Sequence, residues 1–336
     1  MATLSFLAYL GDGLVGSDEW VEKHLDHCME KALWDQVDVR HWELAWGPAV
    51  YHFSLGVLDD NMMYVVRDRN DPAHLVVVVR GTNAASILDW LVEDFDVFDQ
   101  VSWPTAPPPG LPKTSKAISE GLHILQTKTT EGGPVKKRHL SDFLQSQVNQ
   151  YSSGPPASGL LLDVTGHSLG GALAPVLALW LSETLTGNVR IRVFPLAGPS
   201  PGNADFAAYY DRALGSSTRR LWNPFDIVPL AWNHASMGKM ADLYEPFTGA
   251  DLWTRGAIDG ARLFVEDYGY AQLKPGQDSL PGAVYTQSGT DWWAEVEWQH
   301  SCGYQCAFGI SVLTSVPGCP SNEAQYPCPT TACPQR

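Results

Sequence analysis

Apolar residues along the chain recur at two spacings, one typical of strands and one typical of helices. Strands are predicted at residues 62–67, 75–79, 160–164 and 189–194, with the start of a further strand at 220–222. Helices are predicted at residues 20–34, 115–126, 140–151 and 170–185. The run at 75–79 has no polar alternation, which is typical of a strand buried on both faces of a parallel sheet. The pattern predicts an α/β fold with a mostly parallel central sheet and flanking helices.

The composition agrees with a globular chain. Hydrophobic residues make up 44% of the sequence and charged residues 18%, which is enough to bury a sizeable core. The chain lacks an apolar run of the roughly 18 residues that a transmembrane helix needs, so no transmembrane segment is expected. The N-terminal residues carry no basic segment, so no secretory signal is expected in this chain.

The charge balance limits the classes of ligand and partner that the chain is expected to bind. There are 22 Lys and Arg residues against 37 Asp and Glu, a net charge of -15. A nucleic-acid-binding protein needs a basic surface, and the one basic cluster, at 136–138, is more simply a solvated loop. We therefore expect no nucleic-acid partner, and we expect a neutral or cationic substrate rather than an anionic one.

The cysteines are concentrated near the end of the chain. Cys28 stands alone, and the other five follow residue 300 with no C-x-x-C pair, so a zinc site is disfavoured. Two or three disulfides that hold a loop-rich tail are expected, with free thiols as the alternative. We expect one α/β domain at 1–310 and a Cys- and Pro-rich appendage packed on it at 311–336. The tail favours secretion, although a cytoplasmic location stays open.

The strongest motif follows the predicted strand at 160–164. Gly166, Ser168 and Gly170 form a G-x-S-x-G pattern between that strand and a long apolar helix, which is typical of a nucleophile elbow. The glycines let strand and helix pass closely, and the backbone N–H of Leu169 is expected to face a developing oxyanion. The alternative is an incidental serine in a tight glycine turn. His167 is interpreted as structural, because a side chain next to the serine points away from it.

A serine nucleophile needs a histidine in contact and a carboxylate to orient that histidine. In α/β-hydrolases the acid and then the histidine follow the serine along the chain. Asp226 is the favoured acid, because it falls where a strand leaves the sheet, and His300 is the favoured base, on a loop late in the chain. His234 is the alternative base. None of the three favoured side chains is expected to belong to the core. The other downstream acids considered are Asp205, Asp211, Asp251 and Asp259.

Four sequence blocks, taken in order, resemble those of one enzyme family. They are VVVVRGT at 76–82, VTGHSLGGAL at 164–173, VFPLAGPSPGN at 193–203 and NPFDIVP at 223–229. The chain resembles the class 3 lipases, the fungal-lipase-like branch of the α/β-hydrolases, over about residues 60–310. Two departures leave substrate preference open. The third block lacks the usual arginine, and the intervals from the first block to the serine and from the acid to the base look long.

The resemblance implies a role for individual residues. Ser168 would be the nucleophile, Asp226 the acid and His300 the base, while the backbone N–H groups of Thr82 and Leu169 would form the oxyanion hole. The hydroxyl of Thr82 would be a possible second donor. Arg80 looks structural and is expected to pair with a carboxylate beneath the site.

Members of the family often carry a lid helix after the first block. Asn83 is suited to cap such a helix here, and its apolar face would hold the following residues: Ile87, Leu88, Leu91, Val92 and Phe95. Trp90 edges this face, so Ile87, Trp90 and Leu91 are candidate substrate or lid residues. An ordinary surface helix packed on the core is the alternative.

The expected chemistry is hydrolysis of a neutral carboxylic ester through an acyl-enzyme, with acylglycerols first among the substrates. No metal and no organic cofactor are expected. Bulky feruloyl-type esters, phospholipids cleaved at sn-1 and synthetic polyesters stay open. So do an acyltransferase or thioesterase on the same fold and a non-catalytic scaffold.

Overall fold

The computed structural model describes residues 1–11, 14, 16–51, 61–81, 97–105, 110–153, 159–273, 279–285, 291–310, 328 and 333. The strands are β1 (Trp42–Tyr51), β2 (Asn61–Asp68), β3 (His74–Val79), β4 (Gln100–Ser102), β5 (Lys113–Ser115), β6 (Leu160–His167), β7 (Val189–Leu196), β8 (Gly202–Asn203) and β9 (Tyr270–Ala271). The helices are α1 (Ala2–Leu7), α2 (Asp18–Asp35), α3 (Lys116–Thr127), α4 (Leu140–Ser153), α5 (Leu169–Thr184), α6 (Ala204–Leu214), α7 (His234–Met237), α8 (Leu252–Val265), α9 (Trp292–His300) and α10 (Cys302–Phe308).

The central sheet has the strand order β1-β2-β3-β6-β7. The pairs β3–β6 and β6–β7 are parallel, whereas β1–β2 and β2–β3 are antiparallel. The predicted α/β-hydrolase fold is confirmed, but the sheet is mixed rather than mostly parallel. The reason is connection length: the segment between β2 and β3 is too short for the crossover helix that a parallel pair needs.

The continuous apolar runs arise because both faces of the sheet are covered. Along β3, Val77 and Val79 pack in the core on the side of α3, α4 and α5, whereas Val76 and Val78 pack in the core on the side of α1 and α2. Each β3 valine is fully buried, as expected for a strand between two helical layers. In the described part of the chain, no helix combines the length and apolarity needed to cross a membrane.

The predicted strand at 220–222 is present as isolated parallel bridges: Thr218 and Leu221 pair with β7, and Trp222 pairs with Ser279. These bridges nevertheless extend the edge of the sheet just before residues 223–229, the block that contains Asp226. A smaller antiparallel sheet, β4-β5-β8-β9, lies outside the central one. Its strands have two or three residues each, too few to show a periodic pattern in the sequence.

Two disulfides tie α10 to described residues of the predicted appendage. Cys302 pairs with Cys328, and Cys306 pairs with Cys333. Cys28, which the sequence analysis left alone, is disulfide-bonded as well. Disulfides in the tail are thus confirmed, and the zinc and free-thiol alternatives are wrong for these cysteines. The division at residue 310 stays a prediction.

Candidate active site

The serine of the G-x-S-x-G motif lies at the junction of a strand and a helix. β6 ends at His167, α5 begins at Leu169, and Ser168 between them has φ 61° and ψ -128°. A positive φ is uncommon for a residue with a side chain, and such strained residues concentrate at functional sites. The side chain is buried, with 7% of its surface exposed. The elbow geometry predicted from the sequence is therefore present.

Glycines make this junction sterically possible. A Cβ atom on Gly170 would lie 2.2 Å from the carbonyl oxygen of Val79, at the end of β3. A Cβ atom on Gly171 would lie 2.1 Å from the carbonyl oxygen of Leu196, at the end of β7. The elbow is therefore wedged between the carboxyl ends of the two strands that flank β6, where α/β enzymes place their ligands.

Asp226 and His300 form a buried pair. His300 Nδ1 lies 2.8 Å from Asp226 Oδ2, and neither side chain is exposed. The carboxylate also accepts a hydrogen bond from the backbone N–H of Val228, at 3.0 Å from Oδ1. Because a carboxylate only accepts, Nδ1 of His300 carries the proton and its Nε2 is left with a lone pair in the neutral ring. Within the described residues, this Nε2 is buried and has no hydrogen-bond partner.

His300 is the last residue of α9, not a loop residue, so that expectation was wrong. The Asp291 side chain caps the helix by accepting the backbone N–H of Ala294. Trp292, Val296 and His300 then fall on one buried face at helical spacing. The expectation that the three favoured side chains lie outside the core was wrong too, since Asp226 and His300 are fully buried.

Tyr304, in α10, is a site residue that sequence reasoning missed. Its hydroxyl donates to Asp226 Oδ2 at 2.9 Å and accepts the backbone N–H of Asn223 at 2.9 Å. Burial raises the pKa of Tyr304 well above its ordinary value, and the negative charge of Asp226 adds to this. The phenol therefore remains a donor to the carboxylate. Only the spacing of four residues from His300 hints at it, and that spacing does not reveal a contact with a distant acid.

The elbow and the buried pair meet through His167. His167 Nε2 lies 2.8 Å from the carbonyl oxygen of His300, and the two imidazole rings have centroids 4.6 Å apart. Ser168 is the next residue along the chain. Through His167, the structure thus links the nucleophile elbow to the buried Asp226–His300 pair.

The predicted oxyanion donors are only partly within the described residues. Leu169 is the first residue of α5, where the backbone N–H has no acceptor within the helix. Gly81 packs against the nucleophile, because a Cβ atom there would lie 2.9 Å from Ser168 Cβ. Thr82, the next residue, lies outside the described residues. So do the predicted lid residues Ile87, Trp90 and Leu91.

Two other residues considered in the sequence, His234 and Arg80, have contacts outside the pair. His234 begins α7, and its Nδ1 is 3.9 Å from Glu266 on the partly exposed side of that helix, so the structure pairs Asp226 with His300 instead. Arg80 is buried, and its guanidinium lies 5.8 Å from the centre of the Tyr9 ring. The predicted pairing of Arg80 with a carboxylate stays a prediction.

Comparisons with known proteins agree with this geometry. The family model described as lipase (class 3) matches residues 76–234. The crystal structure of M37 lipase superposes with a TM-score of 0.83 at 33% identity, over 92% of this chain and 91% of that chain. A lipase of Rhizopus niveus is 27% identical over 199 residues, which cover 58% of this chain and 43% of the lipase.

A second curated relative is a plant enzyme. Phospholipase A1-Igamma3, chloroplastic, of Arabidopsis thaliana is 28% identical over 166 residues, which cover 46% of this chain and 30% of the plant protein. The alignments therefore span less than half the length of these two curated relatives.

A serine elbow at the end of a parallel strand, inside a mixed sheet covered by helices on both faces, defines an α/β-hydrolase. Within that class, the chain belongs to the class 3 lipase family, whose members are lipase-like carboxylic-ester hydrolases.

Proposed function

We propose that this chain hydrolyses neutral carboxylic esters through an acyl-enzyme on Ser168, with Asp226 and His300 completing the triad. The observation that carries the proposal is the buried pair beside the serine elbow, in which His300 Nδ1 lies 2.8 Å from Asp226 Oδ2. Among the described residues, the other ring nitrogen of His300, Nε2, has no hydrogen-bond partner. A histidine oriented by a carboxylate, with a lone pair left on Nε2, is the arrangement that a serine nucleophile requires.

The proposed reaction has two halves. Nε2 of His300 takes the proton of the Ser168 hydroxyl while the oxygen attacks the ester carbonyl, and the same imidazole then protonates the leaving alcohol. In the second half, His300 activates a water molecule that releases the carboxylic acid and restores the serine. Asp226 stabilises the imidazolium that forms in each half. The N–H groups of Leu169 and Thr82 are proposed to bind the oxyanion.

The proposed substrate is an acylglycerol. The M37 and Rhizopus niveus proteins, to which this chain is similar, are both named lipases, which supports a lipid ester as substrate. The net charge of -15 favours a neutral ester over an anionic one. The similarity to a phospholipase A1 makes cleavage of a zwitterionic phospholipid the second candidate. The lid helix over Ile87, Trp90 and Leu91 remains a prediction of the sequence.

A substrate panel tests the proposal. The purified chain is assayed with p-nitrophenyl esters of increasing chain length, a triglyceride emulsion and phosphatidylcholine vesicles, each beside the Ser168→Ala variant. We expect ester hydrolysis that Ser168→Ala lowers by about a million-fold, the scale of loss when a triad nucleophile is removed. Activity on phosphatidylcholine alone would replace acylglycerol as the substrate, and hydrolysis that survives in Ser168→Ala would refute the mechanism.

We further propose that the chain works in an oxidising compartment. The disulfides of α10 and of Cys28 support this, because structural disulfides persist mainly in secreted and periplasmic proteins. Quantification of free thiols in the protein from its native source tests the point. Reduced cysteines at all six positions would contradict it.

A further inference from the structure

His167, which the sequence analysis treated as structural only, uses both of its ring nitrogens. Nδ1 lies 3.0 Å from the hydroxyl of Tyr9, and Nε2 lies 2.8 Å from the backbone carbonyl oxygen of His300. The side chain is fully buried. One ring therefore connects the residue before the nucleophile to the main chain of the proposed base.

The hydrogen-bond partners fix the tautomer of this ring. A carbonyl oxygen only accepts, so Nε2 of His167 donates to His300. Nδ1 then has the lone pair and accepts a hydrogen bond from the Tyr9 hydroxyl. Burial lowers the pKa of His167 well below its ordinary value, and the nearby His300 lowers it further, which keeps the ring neutral.

Packing leaves the ring little room to turn. The centroid of the Phe6 ring is 4.6 Å away, and the Tyr304 ring meets His167 edge-on at 5.6 Å. The centroid of the His300 ring is also 4.6 Å from the centroid of the His167 ring. His167 thus contacts both the proposed base and the tyrosine that bonds the proposed acid.

We propose that His167 is a positioning residue that holds the main chain of His300 at a fixed place relative to Ser168. This inference rests on the proposed function. Ser168 follows His167 directly, so a shift of the His300 backbone away from the nucleophile must break the Nε2–carbonyl bond. A displacement of about 1 Å between reacting groups can cost roughly 100-fold in rate, so this bond acts on turnover without touching the substrate.

Two variants of similar size separate this role from core packing. In His167→Gln the side-chain amide can still donate to the His300 carbonyl, whereas His167→Met has no donor. We expect His167→Met to lower kcat for p-nitrophenyl butyrate by about 10- to 100-fold with KM changed less than about threefold. We expect His167→Gln to recover most of the loss. Tyr210 lies in α6, and its hydroxyl makes a buried hydrogen bond to the Thr218 hydroxyl. Tyr210→Phe removes that bond and serves as the matched control for lost stability.

Tyr9→Phe keeps the inference testable if His167→Met does not fold. It removes the hydroxyl that holds Nδ1, so the ring keeps only one of its two polar anchors and can tilt away from the His300 carbonyl. We expect a severalfold lower kcat at unchanged KM. The melting temperature is measured for every variant, and kcat is measured well below it.

Equal kcat losses in His167→Gln and His167→Met, or wild-type kcat in His167→Met, would overturn the inference. If His167→Met does not fold, wild-type kcat in Tyr9→Phe would overturn it. A wild-type protein that lacks esterase activity, or a Ser168→Ala variant that retains it, would refute the proposed function instead. The two failures are therefore distinguishable.

Discussion

Replacing Asp226 by asparagine separates the chemistry of the site from its packing. The two side chains have nearly the same shape, but the amide places a donor where the carboxylate has an acceptor. Asp226 accepts three hydrogen bonds, from His300 Nδ1, the Tyr304 hydroxyl and the backbone N–H of Val228. In the Asp226→Asn variant the single amide oxygen can serve only one side. If it stays with Val228, the amide N–H₂ faces His300.

His300 must then present a lone pair at Nδ1 and carry its proton on Nε2. A protonated Nε2 cannot take the proton of Ser168, so we expect kcat to fall by about 10,000-fold, as when the equivalent tautomer is lost in other triads. That is about 5 kcal/mol of transition-state stabilisation at about 1.4 kcal/mol per tenfold. The free energy of unfolding should change much less, because the shape and one hydrogen bond are retained.

Asp226→Ala should behave differently. It leaves three buried donors without an acceptor, and each costs about 1–3 kcal/mol of stability. That loss is large against a typical total stability of about 5–15 kcal/mol. The assay is kcat for p-nitrophenyl butyrate at saturating substrate, beside thermal unfolding by circular dichroism. An Asp226→Asn variant within about tenfold of wild-type kcat would refute the role given to the tautomer.

Three further outcomes are expected. Gly170→Ala should lower the free energy of unfolding by about 1–3 kcal/mol and reduce turnover, because its Cβ would lie 2.2 Å from a neighbouring backbone oxygen; denaturant unfolding checks the first effect. Reduction of the two α10 disulfides, whose cysteines are 26 and 27 residues apart in sequence, should cost up to about 3.5 kcal/mol each and lower the melting temperature measured by calorimetry. It should also slow turnover, because α10 follows the base. Burial raises the pKa of Asp163, but hydrogen bonds from His74 and Arg192 outweigh it and the folded-state pKa is lowered. The stabilisation is therefore present above the unfolded-state pKa of about 4, and it is lost as the pH falls from there through the lower folded-state pKa. The free energy of unfolding of Asp163→Asn, measured by fluorescence, should therefore depend less on pH in this acidic range than that of the wild type.

The hydrophobic pattern of the sequence predicts those elements whose apolar runs are long and uninterrupted. β3, β6 and α5 were predicted because their apolar runs are long enough to identify on their own. β1 was not predicted, since Gly47 and Pro48 interrupt it and look like a turn. In the structure the register shifts between Trp46 and Ala49, so the strand accommodates that pair as an irregularity.

The candidate catalytic residues could be predicted from the sequence where a motif or the chain order identifies them. Ser168 has a motif, and chain order with the family resemblance pointed to Asp226 and His300. Tyr304 and the bridging contact of His167 depend on how α9 and α10 pack against the elbow. No spacing in the sequence encodes those contacts, so they emerge only from the folded chain.

Covalent labelling by a fluorophosphonate tests the central claim most directly. The wild-type protein is incubated with the probe, and intact-mass and peptide mass spectrometry count and locate the adduct, beside Ser168→Ala. The account predicts one adduct per chain, on Ser168, and none on the variant. An unlabelled wild-type protein, or an adduct on another residue that persists in Ser168→Ala, would contradict it.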